Sequence, residues 1–347
     1  MAEVVSRNIP YVRLGNSGLK ISKIVLGCMS YGNPNWQPWV LGEEEAIQHI
    51  KYAYEHGVNT FDTANVYSNG VSESVLGKAI KQLKINRDEI VVITKVGFCL
   101  DRNPNSTIFA RPASELDTMG YPNQYGLSRK HIFASVKASL ERLQLDYVDV
   151  LLCHRFDYNT PIEETMQALH DVVQAGHVRY IGMSSCFAWQ FHAMQNYAIA
   201  NKLTPFIAMQ NHYSLAYREE EREMMPTLKH FGVGSMAWSP LARGVLTRPV
   251  GTATTRSGSD ALQRNYQNGA GTDAIVARVE EVAKKRGVPM AQVALAWTLS
   301  RATSAVVGTT SLEKLAELLG AVDVELTEEE KKAMEEPYVP RTIFGHA

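Results

Sequence analysis

"VNTFDTANVYSNGVSESVLGKAIKQL" (58–83) is the stretch on which the reading of the fold turns. Residues 58–64 carry the β-branched and aromatic side chains that favour a strand, and 72–83 read as a helix. Between them lies a short loop bearing Tyr67 and an Asn-Gly turn signal. The same unit recurs along the chain. Further strands are predicted at 23–29, 89–97, 147–154, 177–184, 205–213, 233–240 and 303–309. Helices are predicted at 42–57, 128–144 (capped by Ser128), 161–176, 187–202, 218–232, 273–287 and 311–321. Strand–helix alternation predicts a parallel sheet, and eight units predict an α/β chain folded as a (β/α)8 TIM barrel. A doubly wound open sheet is the rival, but its G-x-G-x-x-G signature is absent after the first strand, where the chain reads Gly27-Cys28-Met29-Ser30-Tyr31-Gly32.

Three additions interrupt the regularity. Residues 11–22 read as an N-terminal β-hairpin around Asn16-Ser17-Gly18, and 289–303 as an extra apolar helix. The segment 241–271 is too long for a plain connection and is expected to close over an anionic ligand through Arg243, Arg248, Arg256 and Arg264. No linker divides the chain, so 1–347 is expected to be one domain.

Hydrophobic residues make up 45% of the chain and charged residues 20%, enough to bury a full core. A net charge of −1 argues against nucleic-acid binding, which rests on many basic contacts to phosphate. The sequence contains no stretch of the ~20 apolar residues needed to span a membrane. Cys28, Cys99, Cys153 and Cys186 are widely spaced, in no zinc-like or disulfide pattern, which points to free thiols and a cytoplasmic location. No metal site is expected, since paired-histidine runs are missing.

In a barrel the active site lies at the C-terminal ends of the strands. There the sequence sets Asp62, Lys95 and His154, expected to face inward with Val58 and Thr60, Val91 and Ile93, and Val150 and Leu152. Tyr67 follows on a loop above the same rim. An ammonium about 4 Å from a phenolic oxygen favours the phenolate by up to ~4 kcal/mol at an effective dielectric of about 20. Lys95 is therefore expected to bring the Tyr67 pKa below its usual ~10. Asp62 would hold the lysine, and His154 would donate to a substrate carbonyl. Taken singly, each has a plainer reading: Asp62 as a turn cap, His154 as a hydrogen-bonded rim residue, Tyr67 as a packing side chain. Only their joint placement points to chemistry.

These residues lie in "FDTANVYSNGVSESVLG", "ITKVG" and "LLCHRFD". With "HVRYIGMSS", "MQNHYSL", "WSPLARGVLTRP" and "VVGTTSLEKLAELLGA" in that order, the chain resembles the aldo-keto reductases, NADPH-dependent oxidoreductases. It is most similar to the fungal aryl-alcohol dehydrogenase-type members. The resemblance implies a catalytic tetrad of Asp62, Tyr67, Lys95 and His154, with Tyr67 as general acid. It also implies nicotinamide contacts from Ser184, Ser185 and Gln210, with Trp238 stacking on the ring, and further cofactor contacts from Met29 and Asp62. Ser239, Leu241, Arg243 and Gly244 would hold the pyrophosphate, and Gly308, Thr310, Lys314 and Glu317 the adenosine phosphate. The family usually has Ser-Asn at Ser184-Ser185, asparagine at Leu318 and often arginine at Lys314. The implied activity is reduction of small carbonyl compounds, aromatic aldehydes foremost, with Trp36, Trp39, Phe98 and Phe156 as aromatic candidates around the substrate. Two other readings stand beside it: a dinucleotide-binding regulatory protein like the potassium-channel β-subunits, and a Schiff-base lyase using Lys95.

Overall fold

A parallel strand pairs with the next only after the chain crosses back over the sheet, and the helical stretches supply those crossovers. The computed structural model describes residues 9–109, 111–252, 261–267 and 269–346. A hairpin of β1 (Tyr11–Arg13) and β2 (Lys20–Ser22) precedes the strands β3 (Ile24–Gly27), β4 (Thr60–Asp62), β5 (Val91–Val96) and β6 (Val148–Cys153). They are followed by β7 (Val178–Ser184), β8 (Phe206–His212), β9 (Gly234–Trp238) and β10 (Ser304–Val307). Strands β3 to β10 pair in sequence order, and β10 returns to β3 in parallel, closing an eight-stranded barrel. This is the expected (β/α)8 fold with its N-terminal hairpin and extra helix, the latter spanning Met290–Arg301.

Strand alternation sorts the apolar residues into two cores. Val25, Val91, Ile93, Val150, Leu152, Ala208 and Met236 fill the barrel, while a larger cluster lies between strands and helices. Leu14 and Ile21 of the hairpin join the interior group, so the hairpin stops the lower mouth of the barrel. Its turn presses on the start of β9: a Cβ on Gly15, at φ +62°, would come within 2.4 Å of the Gly232 carbonyl oxygen. With the bottom plugged, the upper rim is left for chemistry.

Two expectations change. Val58 packs in the outer core rather than facing inward, because the β4 ladder begins only at Thr60 and alternation does not reach back to it. The single helix expected at 218–232 is a short turn at Glu219–Glu221 followed by the helix Met224–Phe231. A helix from 218 would bury Pro226 in its interior, whereas starting at Met224 keeps the proline in the first turn. The polar loop after β5 contains the helix Ala113–Thr118, which packs Leu116 against Cys99, Ile108 and Tyr121. The C-terminal "TEEE" also forms a capping box at Thr327 and Glu330, opening the helix Glu328–Glu335. Among the described residues no helix is long and apolar enough to cross a membrane.

Candidate active site

Strands β4, β5 and β6 end side by side, which brings their last polar residues together. Lys95 is fully buried and Asp62 is 2% exposed. The Lys95 ammonium has three donors, and all find oxygens: Asp62 Oδ1 at 2.6 Å, the Thr63 carbonyl at 2.8 Å and Tyr67 Oη at 3.4 Å. Tyr67 stands on a tight turn whose next residues, Ser68, Asn69 and Gly70, all have positive φ. Asn69 braces that turn, its Nδ2 donating to the Asn103 and Ser106 carbonyls and its Oδ1 accepting from the Asp101 N–H. The rings of Tyr67 and His154 meet edge to face at 5.8 Å.

Electrostatics at these groups differ from the expectation in one respect. Burial raises the Tyr67 pKa more than the charge and hydrogen bond of Lys95 lower it, so the phenol stays protonated beyond its ordinary range. Taking the ring out of water disfavours the phenolate, and Asp62 adds a further negative charge nearby. Burial alone would lower the Lys95 pKa, but Asp62 and Tyr67 reverse it and the lysine stays charged. Burial, helped by Arg155 and Lys95, holds the His154 pKa well below 6.5, so the imidazole is neutral. Its Nδ1 is buried with no hydrogen-bond partner.

The other half of the rim is joined to this group. Gln210, near the end of β8, donates from Nε2 to Asp62 Oδ2 at 2.7 Å. Its carbonyl accepts from Ser184 Oγ and from the Ser185 N–H, both at 3.1 Å. Trp238 Nε1 donates to Ser185 Oγ at 2.9 Å. One face of the Trp238 indole is stacked on His212 at 4.1 Å, which leaves only the opposite face for a planar ligand. Ser185, Ser239, Ala242, Arg243 and Gly244 all have positive φ, a concentration of backbone strain at the ends of β7 and β9. Leu241 and Gly244 are hydrogen-bonded to each other within that turn.

On β10 and the helix Leu312–Leu319, Gly308, Thr310 and Lys314 are exposed and Glu317 is half-buried. Met29 lies half-buried just beyond β3. Leu318 is buried in the outer core, so a packing role explains an apolar residue there. Serine hydroxyls, an amide, a flat indole and an exposed cation near a helix N-terminus make a set that fits a nicotinamide dinucleotide.

Residues 23–338 match the Aldo/keto reductase family. The chain belongs to that family. It is 48% identical to the versiconal hemiacetal acetate reductase of Aspergillus parasiticus over 96% of this chain and 98% of the relative. It is also 48% identical to a Schizosaccharomyces pombe protein whose name, aryl-alcohol dehydrogenase, is itself provisional, over 96% of this chain and 97% of that one. An Alternaria alternata aldo-keto reductase is 47% identical over 97% and 94% of the two chains. As an aldo/keto reductase the protein is an oxidoreductase of carbonyl compounds, and the family generally uses nicotinamide cofactors.

Within this aldo/keto reductase the aromatic candidates separate. Phe98 lies against the His154 ring at 4.8 Å and is packed in turn on Phe109 at 4.5 Å. Trp36 pairs with Trp39 at 6.2 Å, and Phe156 pairs with Tyr158 at 5.1 Å while packing on the outer core. Of the four loop arginines, Arg243 and Arg248 are half-buried, Arg264 is exposed, and Arg256 lies outside the described residues. Sequence reading passed over Arg155 and the C-terminal tail. Arg155 Nη1 donates to the His154 carbonyl at 2.5 Å and to Ser184 Oγ at 3.4 Å. Phe344 of the tail packs on the His212 ring at 4.5 Å, and a Cβ on Gly345 would sit 3.1 Å from the Trp238 ring. The tail is fastened by Glu219, which accepts from the Tyr338 hydroxyl and the Arg341 N–H, and by Glu220 on His346 Nε2 at 2.8 Å. The only local signal was the position of Arg155 directly after His154; nothing in sequence announces the tail.

Proposed function

We propose that this aldo/keto reductase reduces aldehydes, aromatic ones foremost, to alcohols with NADPH, using Tyr67 as general acid within one domain spanning 1–347. The observation that carries the reading is the position of Lys95 Nζ, bonded at once to Asp62 and to Tyr67, with Asp62 tied through Gln210 to the serines and Trp238. Ser184, Ser185, Gln210 and Trp238 would hold the nicotinamide, with Met29 beside them. Ser239, Leu241, Arg243 and Gly244 would take the pyrophosphate, and Gly308, Thr310, Lys314 and Glu317 the adenosine phosphate. NADPH, when bound, supplies a hydride to the carbonyl carbon.

The remaining work falls to the protein. Tyr67 gives its proton to the carbonyl oxygen as charge develops there. An alkoxide is a far stronger base than a phenolate, so a protonated phenol placed against the developing alkoxide is a competent proton donor. Lys95 then faces the phenolate, and its retained charge stabilises it. Asp62 keeps the ammonium charged and aimed. Neutral His154 can donate one N–H to the carbonyl, orienting it against Tyr67. A charged, three-fold bonded Lys95 is a poor nucleophile, which argues against the Schiff-base reading. Phe98 on His154 and the printed name of the Schizosaccharomyces pombe relative support aromatic substrates. Four free, buried cysteines are in keeping with a reducing, cytoplasmic setting.

Titration of tryptophan fluorescence with NADPH and NADH, followed by an aldehyde panel, tests the reading. Tyr67→Phe is expected to lower turnover by ~10²–10⁴ while NADPH still binds. Reduction at the wild-type rate by that variant would remove Tyr67 as the acid. The arginine-bearing segment 241–271 is further expected to close on the cofactor, which protease digestion with and without NADPH would register as protection.

A further inference from the structure

Arg155 is a charged group at the rim that the proposed reaction leaves unused. It follows His154 at the end of β6, half-buried, with its guanidinium carbon 5.7 Å from the centre of the Trp238 ring. Nη1 is pinned by the His154 carbonyl and Ser184 Oγ. Among the described residues Arg155 forms no ion pair, and its Nε and Nη2 donors have no protein acceptor. Nη2 lies beside the tail, 4.0 Å from where a Cβ on Gly345 would stand. Three other half-buried arginines of this chain are ion-paired, Arg87 to Asp149, Arg142 to Glu73 and Arg218 to Glu221.

We propose that Arg155 binds a carboxylate carried by the carbonyl substrate, so that the pocket selects carboxylated aldehydes over their uncharged counterparts. This rests on the aldehyde-reductase reading above and deepens it. With Nη1 held, the Nε–Nη2 edge is left without a protein acceptor, and such an edge takes a carboxylate through two parallel hydrogen bonds. Pinning also means that little side-chain freedom is lost on binding. The charge lies against His154, Ser184 and Trp238, where the substrate carbonyl and the nicotinamide would meet, and close enough to Tyr67 to act on its ionisation. Burial without a carboxylate partner lowers the Arg155 pKa to about 10, so at neutral pH the group remains a cation whose counter-charge is missing. An anionic substituent supplies that counter-charge.

The experiment compares each carboxybenzaldehyde isomer with its methyl ester, in the full-length wild type and in Arg155→Gln and Arg155→Lys. The wild type is expected to prefer at least one acid over its ester, chiefly through KM. In Arg155→Gln the kcat/KM of that acid should fall at least about tenfold further than that of the ester. Arg155→Lys should restore part of the preference, since it keeps the charge without the fork. An equal fall for acid and ester would overturn the proposal and assign Arg155 to the reacting centre. A weakened NADPH affinity in Arg155→Gln with the acid-to-ester ratio unchanged would overturn it in favour of a cofactor phosphate. Failure of the wild type to reduce acids and esters alike would overturn the aldehyde-reductase reading itself, whereas reduction of both without preference would sink only the role of Arg155.

Discussion

The rim at β4, β5 and β6 and the rim at β10 are built on opposite plans. At the first, Lys95 has no exposure, every donor is bonded, and Asp62 is clamped from both sides by Lys95 and Gln210. At the second, Gly308, Thr310 and Lys314 lie exposed around the first turn of the helix Leu312–Leu319. The difference suits the tasks proposed for each region. Proton transfer needs groups held in place before substrate arrives, because reorganisation during the reaction would raise the barrier. A phosphate needs only an accessible cation and free backbone N–H groups. Pre-organisation has a cost here, since the same burial that fixes Tyr67 raises its pKa.

The contrast can be broken most forcefully at Lys95. Lys95→Met leaves the Asp62 carboxylate buried opposite no cation, and the loss of a buried partner is expected to cost about 3–5 kcal/mol. A urea unfolding midpoint unchanged from wild type would show that the pair is not part of the folded frame. Leu318→Asn comes next. It places the family's usual asparagine at a position that here belongs to the core, and should destabilise by about 2–4 kcal/mol without tightening NADPH binding. A gain in NADPH affinity would mean that the adenosine end is less settled than its packing implies.

Effects at the exposed end should be smaller. Lys314→Met is expected to weaken NADPH by about fivefold, spare NADH, and lose its effect as salt is raised. Equal weakening of both cofactors would argue against a 2′-phosphate contact. The smallest effect expected is in the pH profile. The raised Tyr67 pKa keeps the acid protonated through neutrality, and His154, held well below 6.5, stays neutral over the same range. The kcat/KM for reduction should therefore be nearly flat through neutrality, from about pH 6 to 9, and fall only in strong alkali, when Tyr67 loses its proton. A falling limb near neutrality would restore the idea that Lys95 dominates the phenol.

Most of the architecture was legible because it depends on periodicity. Apolar runs separated by helical stretches determined eight strands and the seven crossovers between them, and the two-residue alternation within β5 and β6 placed Val91, Ile93, Val150 and Leu152 inside. Where strand order ended, that reading weakened. Val58 lies before the ladder, and Pro226 shortened a helix that composition alone extended. Asp62, Lys95 and His154 could be named from strand ends, since a barrel brings all such ends to one rim, and Tyr67 from the loop that follows β4.

Local pattern thus determined which side chains reach the rim, because strand geometry is short-ranged and repeats every two residues. Tertiary structure alone decided how those groups behave. The competition between burial and Lys95 at Tyr67, the single free face of Trp238, the Arg155 charge without a partner and the tail fastened by Glu219 and Glu220 all join segments far apart in the chain. Desolvation and Coulomb forces depend on distances in space, and those exist only once the barrel has closed.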